Sequence, residues 1–551
     1  MTDYYTKQYY TGRSAAHRRA VYKGIGLTDE DLERPLIAVI NSFSEVCPGH
    51  FHLQNLVKSI KDGIWQAGGT PLEFSTISQC ATQTLGLPGI HFDLPARELI
   101  ALDIETIVET QLFDGIVIAV TCDKTIPGAL LGAARLDLPT VIVPGGIMET
   151  GKIDGKETSL ADLDEKVFSG KISSWSEEEV RKWEDGVIPG SGACPIMGTA
   201  NTMQILSEVL GVSMPSSSTK VANTAAQLRL AKQAGYRVME LVRSNTKFSD
   251  IVTRQAFANM VSAAMSMGSA SNSIVHMLAL SHEMGYQDEI NIDYIAKRSR
   301  EIPCLVDVKP AGSHYLTDLE RAGGIPAVMG QIEEYLDPDC VGVSGQSVHE
   351  ICECGRRLYA ESGSDVICSR DNPVMANGGV IVLKGNLADS AVVRAFKHSK
   401  NEFEGRAKVY STQEDAIAAV KRGEVQPGDA LILRFMGPKG GPGMPDCFGV
   451  SSAVVGAGLE ETVAVITDGR FSGFARGVGV CQICPEAADG GPLAKVRDGD
   501  LIVIDTVHGL LEDRAEDFAS REIVPAPKRT QKGILGIYAR IAGSAATGAR
   551  L

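Results

Sequence analysis

DGIVIAVTCDKTIPG (114–128) joins a continuous apolar run to a polar turn that presents a thiol, a carboxylate and an amine in succession. An Ile/Val-rich run without polar alternation suits a strand buried on both faces, as in parallel sheets covered by helices. PLIAVINSF (35–43) and PTVIVPGG (139–146) share this texture. Between these runs lie helix-like stretches, LQNLVKSIKDGIWQAGG (53–69) and ARELIALDIETIVETQL (96–112). The alternation predicts an α/β domain. A helical tract broken by Gly and Pro turns follows from TANTMQILSEVLGV (199–212) to about residue 360. From about residue 375 the texture changes to short β-like runs separated by Gly, Pro and Asp, among them GGVIVLKGNLADS, AKVYST, DALILRFMG, TVAVITDG and GDLIVIDT. Two domains are expected, α/β over 1–370 and β-rich over 371–551.

Bulk properties narrow the function. A chain of 551 residues exceeds one ordinary core. Its net charge of −15 speaks against a nucleic-acid partner, which needs a clustered positive surface. No apolar run is long enough to span a membrane, and the N-terminus carries no apolar core with a cleavage site, so a cytoplasmic protein is expected. The twelve cysteines are scattered rather than framed, and in a reducing compartment most would be small buried hydrophobes.

Chemistry concentrates in turns that follow strands, where open α/β sheets bind ligands. In TCDKTIPG (121–128), Cys122 is a soft donor suited to iron–sulfur clusters and Asp123 a hard one suited to Mg²⁺, with Lys124 beside them. Taken alone, a buried thiol beside a surface Asp–Lys pair is the simpler account. GSGACPIMGTANTMQ (190–204) places Cys194 in a glycine-rich helix entry. GPKGGPGMPDC (437–447) is too rich in Gly and Pro for regular structure and presents Asp446. TDGRFSG (467–473) presents Arg470 and Ser472, although an ordinary Asp-Gly turn also explains it. Lys439 and Arg470 are candidate partners of a substrate carboxylate, Arg offering a bidentate fork.

These segments, with NSFSEVCPGHFHL (41–53), QAGGTPLEFSTIS (66–78), GSASN (268–272), RAGGIPAV (321–328), NGGVIVLKGNLA (377–388) and PEAADGGPLAKVRDGD (485–500), resemble the dihydroxy-acid and phosphogluconate dehydratase family, which includes sugar-acid dehydratases. The resemblance runs in order over nearly the whole chain. It implies an N-terminal α/β domain carrying the cluster and a C-terminal β-barrel-like, swivelling domain carrying the base serine. It further implies a hydro-lyase, a [2Fe–2S] or [4Fe–4S] cluster beside Mg²⁺, and a homodimer or dimer of dimers. Carried over by motif, Cys122 and Cys194 correspond to cluster ligands, and Asp123, a carbamylated Lys124 and Asp446 to magnesium ligands. Ser472 corresponds to the base at C2. The product would be a 2-keto acid formed from a 2,3-dihydroxy or polyhydroxy acid.

The chain departs from the family pattern at three places. Gly49 stands where a first cluster cysteine is usual, so Cys47 or Cys80 becomes the candidate replacement, Cys80 slightly preferred. Ala81 stands where an acidic magnesium ligand is usual, and Met436 where relatives often have Glu. The departures around 79–88, together with GIWQAGG and GTANTM, tilt the expectation toward a sugar acid over a branched-chain dihydroxy acid. The missing ligands at Gly49 and Ala81 also keep open a family-like binding or regulatory protein without dehydratase activity. A thiol redox pair at Cys481/Cys484 or Cys352/Cys354 is a weaker alternative. His50 and His276 receive no role.

Overall fold

The computed structural model describes residues 4–394, 401–471, 477–528 and 531–551. Four parallel strands form the first sheet: β1 (Leu36–Asn41), β2 (Thr70–Ser75), β3 (Gly115–Val120) and β4 (Thr140–Pro144), in the order β2-β1-β3-β4. Every residue of β1, β3 and β4 is buried, which explains their unbroken apolar character. Ile37 pairs with both Pro71 and Gly115, so β1 sits centrally. Helices α1 (Leu53–Gln66), α2 (Asp93–Gln111) and α3 (Thr125–Leu136) follow β1, β2 and β3, and α4 (Thr199–Val209) opens the helical region. That region ends with a helix at Val348–Ser362, and the next strand begins at Val380.

The second region is a closed eight-stranded barrel. Its strands are β5 (Val380–Gly385), β6 (Ala388–Arg394), β7 (Glu402–Tyr410), β8 (Asp429–Leu433), β9 (Ala464–Thr467), β10 (Val478–Cys484), β11 (Leu501–Asp505) and β12 (Leu510–Asp513). Around the barrel the order is β8-β9-β10-β6-β5-β12-β11-β7. Closure removes the unpaired edges that an open sheet exposes.

The period of two along a strand divides the side chains of β8 between two cores. Ala430 and Ile432 join the barrel interior with Ala464, Ile466 and Val480. Leu431 and Leu433, with Val465, Val392 and Cys481, belong instead to the large core built around the parallel sheet. One flank of the barrel is therefore continuous with the α/β domain. Polar links reinforce the seam. Arg394 donates to the carbonyls of Met197 (3.0 Å) and Gly268 (2.8 Å), and Gln482 donates to that of Ser271 (2.8 Å). The C-terminal tail returns to the first domain, where buried Arg97 donates to the carbonyls of Gly548 and Ala549.

Cys481 and Cys484 are buried on β10, donating to the carbonyls of Val392 and Gln482 rather than to each other. Burial is what removes them as a redox pair.

Candidate active site

The carboxyl ends of the four parallel strands supply most of the site. After β1 comes the loop with Cys47, Gly49 and His50; after β2, Cys80 and Ala81; after β3, Cys122, Asp123 and Lys124. After β4, Met148 donates to the carbonyl of Ala193 (2.8 Å), which seats the Cys194 turn against the sheet. Asn201 on α4 holds the same turn by donating to the carbonyls of Cys194 and Ile196. Cys122 has φ +70°, a left-handed conformation that a non-glycine residue adopts only where its surroundings impose it. Asp123 and Lys124 complete the turn, and α3 begins at Thr125.

Four thiols meet here. The sulfurs of Cys47 and Cys122 are 3.8 Å apart, and Cys80 interacts with Cys47. Cys80, Cys122 and Cys194 line one cavity with Asp123, Ala81 and Asp446. All four thiols are pushed up from their ordinary pKa. For Cys47 the contact with Cys122 is the main cause, for Cys80 the contact with Cys47, and for Cys194 burial. At Cys122 the Cys47 contact favours the thiolate, but burial and the neighbouring Cys80, Asp123 and Cys194 together outweigh it. Clustered protonated thiols have little use to each other; a cationic iron that takes them as thiolates removes the penalty. The donor set fits an iron–sulfur cluster. Among the described residues, the one group of three metal-ligating side chains with donor atoms within 4.8 Å of one another is Cys47, His50 and Cys122. Burial pushes His50 down to about 4, so its ring is neutral.

Beside the thiols lies a buried charge network. Asp93 Oδ2 is 2.9 Å from Lys124 Nζ and 2.8 Å from Arg470. Burial opposes ionisation of Asp93, but the two cations outweigh it and hold its carboxyl below the usual range. Asp446, paired in a short β-bridge with Arg470, is pushed up to about 6 by burial. Lys124 also approaches Asp123 at 3.5 Å. Asp123 and Asp446 line the same cavity and fit a hard cation that keeps water or substrate in its remaining places, as Mg²⁺ does. Ala81 lines that cavity without a donor.

Arg470 is fully buried, donates to the carbonyl of Met444 at 2.7 Å, and keeps Nη1 without a partner among the described residues. Neither Arg470 nor Lys439 is brought into the cavity lining; the Lys439 ammonium pairs with Asp489 at 2.8 Å. Ser472 lies outside the described residues. His276 is buried beside Arg97 at 3.3 Å, and burial drives its pKa well below the ordinary value. Nothing in the sequence distinguishes Asp93, which is simply the acidic first residue of a helix.

Residues 34–351 match the family model described as dihydroxy-acid/6-phosphogluconate dehydratase N-terminal, and residues 365–549 the corresponding C-terminal model. The chain belongs to the dihydroxy-acid/6-phosphogluconate dehydratase family. Among its relatives are dihydroxy-acid dehydratases of Acetivibrio thermocellus (43% identical) and Pyrococcus abyssi (41%), each aligned over 98% of both chains. Dihydroxy-acid dehydratase 1 of Methanosarcina acetivorans is 39% identical over the same share. As a member of this dehydratase family the chain is a hydro-lyase by class, and the two-region architecture expected from the resemblance is the observed one. Among the described residues no helix is long and apolar enough to cross a membrane.

Proposed function

We propose that this chain removes water from a 2,3-dihydroxy carboxylic acid to give a 2-keto acid. The observation that carries the reading is the convergence of soft sulfur donors (Cys80, Cys122, Cys194) and hard oxygen donors (Asp123, Asp446) on one cavity. In this reading a [2Fe–2S] or [4Fe–4S] cluster is held by Cys122, Cys194 and a thiol from Cys47 or Cys80, and Mg²⁺ by Asp123, Asp446 and a carbamylated Lys124. When bound, they supply Lewis acidity to the departing hydroxyl and electrostatic stabilisation to the developing enediolate.

The chain's own groups do the rest. Arg470, whose Nη1 has no partner among the described residues, is the group for the substrate carboxylate, and Asp93 keeps that guanidinium in place and, before carbamylation, the Lys124 ammonium. Ser472, two residues from Arg470, takes the C2 proton, which requires nearby positive charge to lower its pKa. Buried walls exclude bulk water from the keto product. The reading includes a cytoplasmic homodimer, as the resemblance implies, and the relatives support an enzyme that acts on a small molecule.

The cavity lining bears on the substrate. Leu85, Met148, Leu160, Ile188 and Ile196 face it alongside the polar Thr82, Thr199 and Asn201. That apolar share favours a short branched alkyl substituent over the polyhydroxylated chain suggested by the departures around 79–88. The test is 2-keto acid formation by anaerobically prepared protein from 2,3-dihydroxyisovalerate and from a panel of aldonates. Turnover of the former is expected to dominate. Preference for an aldonate would reverse the substrate reading, and iron-loaded protein inactive on every acid would end the dehydratase reading.

A further inference from the structure

Helix α4 opens onto the cavity with its first amides unpaired. Gly198, Thr199, Ala200 and Asn201 all line the cavity. The first bond of the helix runs from the Thr202 amide to the Gly198 carbonyl at 3.0 Å, so the amides of Thr199, Ala200 and Asn201 precede the ladder. No side chain caps them, because the N-cap is Gly198, and the first turn holds no acidic residue. Elsewhere in the chain such amides find a cap: Thr253 accepts from Ala256, and Asn291 from Asp293 and Tyr294.

A second observation is independent of the helix. Thr199 is 2% exposed, and its Oγ1 has no hydrogen-bond partner among the described residues. A buried hydroxyl is costly to leave unpaired. The space before the turn is open, since a Cβ built on Gly198 meets nothing within 4 Å. Three amides, a hydroxyl and the positive end of an eleven-residue helix together suit an oxygen that carries or gains negative charge. The surroundings assign that oxygen. Asp446, also in the cavity lining, is bridged to Arg470, the group proposed for the carboxylate. Asn201, in the first turn of α4, donates to the carbonyls of Cys194 and Ile196, which ties the turn to a thiol of the proposed cluster. A substrate with its carboxylate at Arg470 and its C3 oxygen toward the cluster therefore brings that oxygen to α4.

We propose that the first turn of α4, with the Thr199 hydroxyl, binds the C3 oxygen of the substrate as it departs. This rests on the dehydratase reading above. The donors are N–H and O–H groups, so they occupy no place on iron. As the C3–O bond breaks, its electron pair stays on oxygen. The pair of the C2–H bond becomes the C2=C3 bond of the enol, and the proton taken at C2 and the departing hydroxide together make up the water lost. Negative charge on the C3 oxygen grows along this path, so donors held ready for it favour the transition state over the bound substrate.

The test uses iron-loaded, full-length protein. Thr199→Val removes the hydroxyl at nearly constant shape and should lower kcat about ten- to a hundredfold while KM stays within about twofold. Thr199→Ser should restore most of the rate. Gly198→Ser fits the ordinary extended backbone there (φ −82°) and lays a capping hydroxyl over the same amides, so it too should slow turnover. An analogue with chlorine in place of the C3 hydroxyl separates the roles, because chloride leaves with little help from donors. On it, Thr199→Val should match wild type. An equal loss on both compounds, a KM increase at constant kcat, or unchanged kinetics in both Thr199→Val and Gly198→Ser overturns the proposal and leaves the dehydratase reading intact. Iron-loaded wild type inactive on every acid overturns both. Gly198→Ser decides the matter if Thr199→Val fails to fold.

Discussion

In the metal-free protein, with Lys124 uncarbamylated, replacing Asp93 by Asn preserves shape and removes one negative charge from between two buried cations. Lys124 and Arg470 reach Asp93 at 2.9 and 2.8 Å, and all three side chains are at most 2% exposed. The next carboxylate available to Lys124 is that of Asp123, farther at 3.5 Å and one-third exposed, so it cannot substitute. Stranding a buried charge costs about 3–5 kcal/mol. An unfolding entropy of roughly 2.1 cal/mol/K per residue over 551 residues converts that into a Tm loss of about 3–4 °C. The loss should be larger if the barrel, which carries Arg470, separates from the first domain as a unit. Asp93 has a lowered carboxyl pKa, so its stabilisation is present above the ordinary carboxylate range and is lost as pH falls through the native value. The gap between wild type and variant should thus be widest near neutrality and close in acid. Scanning calorimetry at several pH values measures this. A Tm within about 1 °C of wild type at neutral pH would refute the claim that both cations depend on Asp93.

Gly443→Ala should cost about 2 kcal/mol or more, because φ is +89° and the new Cβ would lie 1.8 Å from the carbonyl oxygen of His91; an unchanged urea midpoint would exclude this close approach. Burial holds Glu208 up at about 7 against an ordinary 4.5, despite donors from Ser216 and Ser218. Its contribution is complete below the unfolded value and lost as pH rises through about 7, so wild-type Tm should fall relative to Glu208→Gln across that window; a constant difference would contradict the burial argument. Cys122→Ser and Cys194→Ser should each lose most of the iron from anaerobically purified protein, since a hydroxyl is a poor ligand for iron–sulfur chemistry; full iron content in either variant removes that residue from the ligand set.

What the sequence made legible follows burial. Strands β1, β3 and β4, enclosed on both faces, stand out as unbroken apolar runs. Strand β2, TPLEFS, does not: it lies at the sheet edge, with only Thr70 and Pro71 fully buried, and carries a proline and a glutamate. Strand β10 reads only as a buried apolar run, and the four-residue β12 is too short, and too flanked by charge, to register. The same logic governs the site. Cys122, Asp123 and Lys124 are consecutive and visible. Asp93 looks like an ordinary helix-opening acid because its partner Arg470 is 377 residues away.

His50 shows why type and spacing alone stop short of function. As a residue, it is a histidine near two cysteines, equally suited to packing or to ligation. Ser42 Oγ donates its one hydrogen to the carbonyl of Ala119, so it accepts from His50 Nδ1 and leaves Nε2 bare, and only the fold brings β1 and β3 together to make that chain. The register Asn41↔Ala119 is thus part of the chemistry: a one-residue slip would turn Ala119's neighbours to the opposite face and take the Ser42 relay with them. The parallel sheet supplies more than a platform for loops, because its pairing decides the protonation of a side chain beyond its edge.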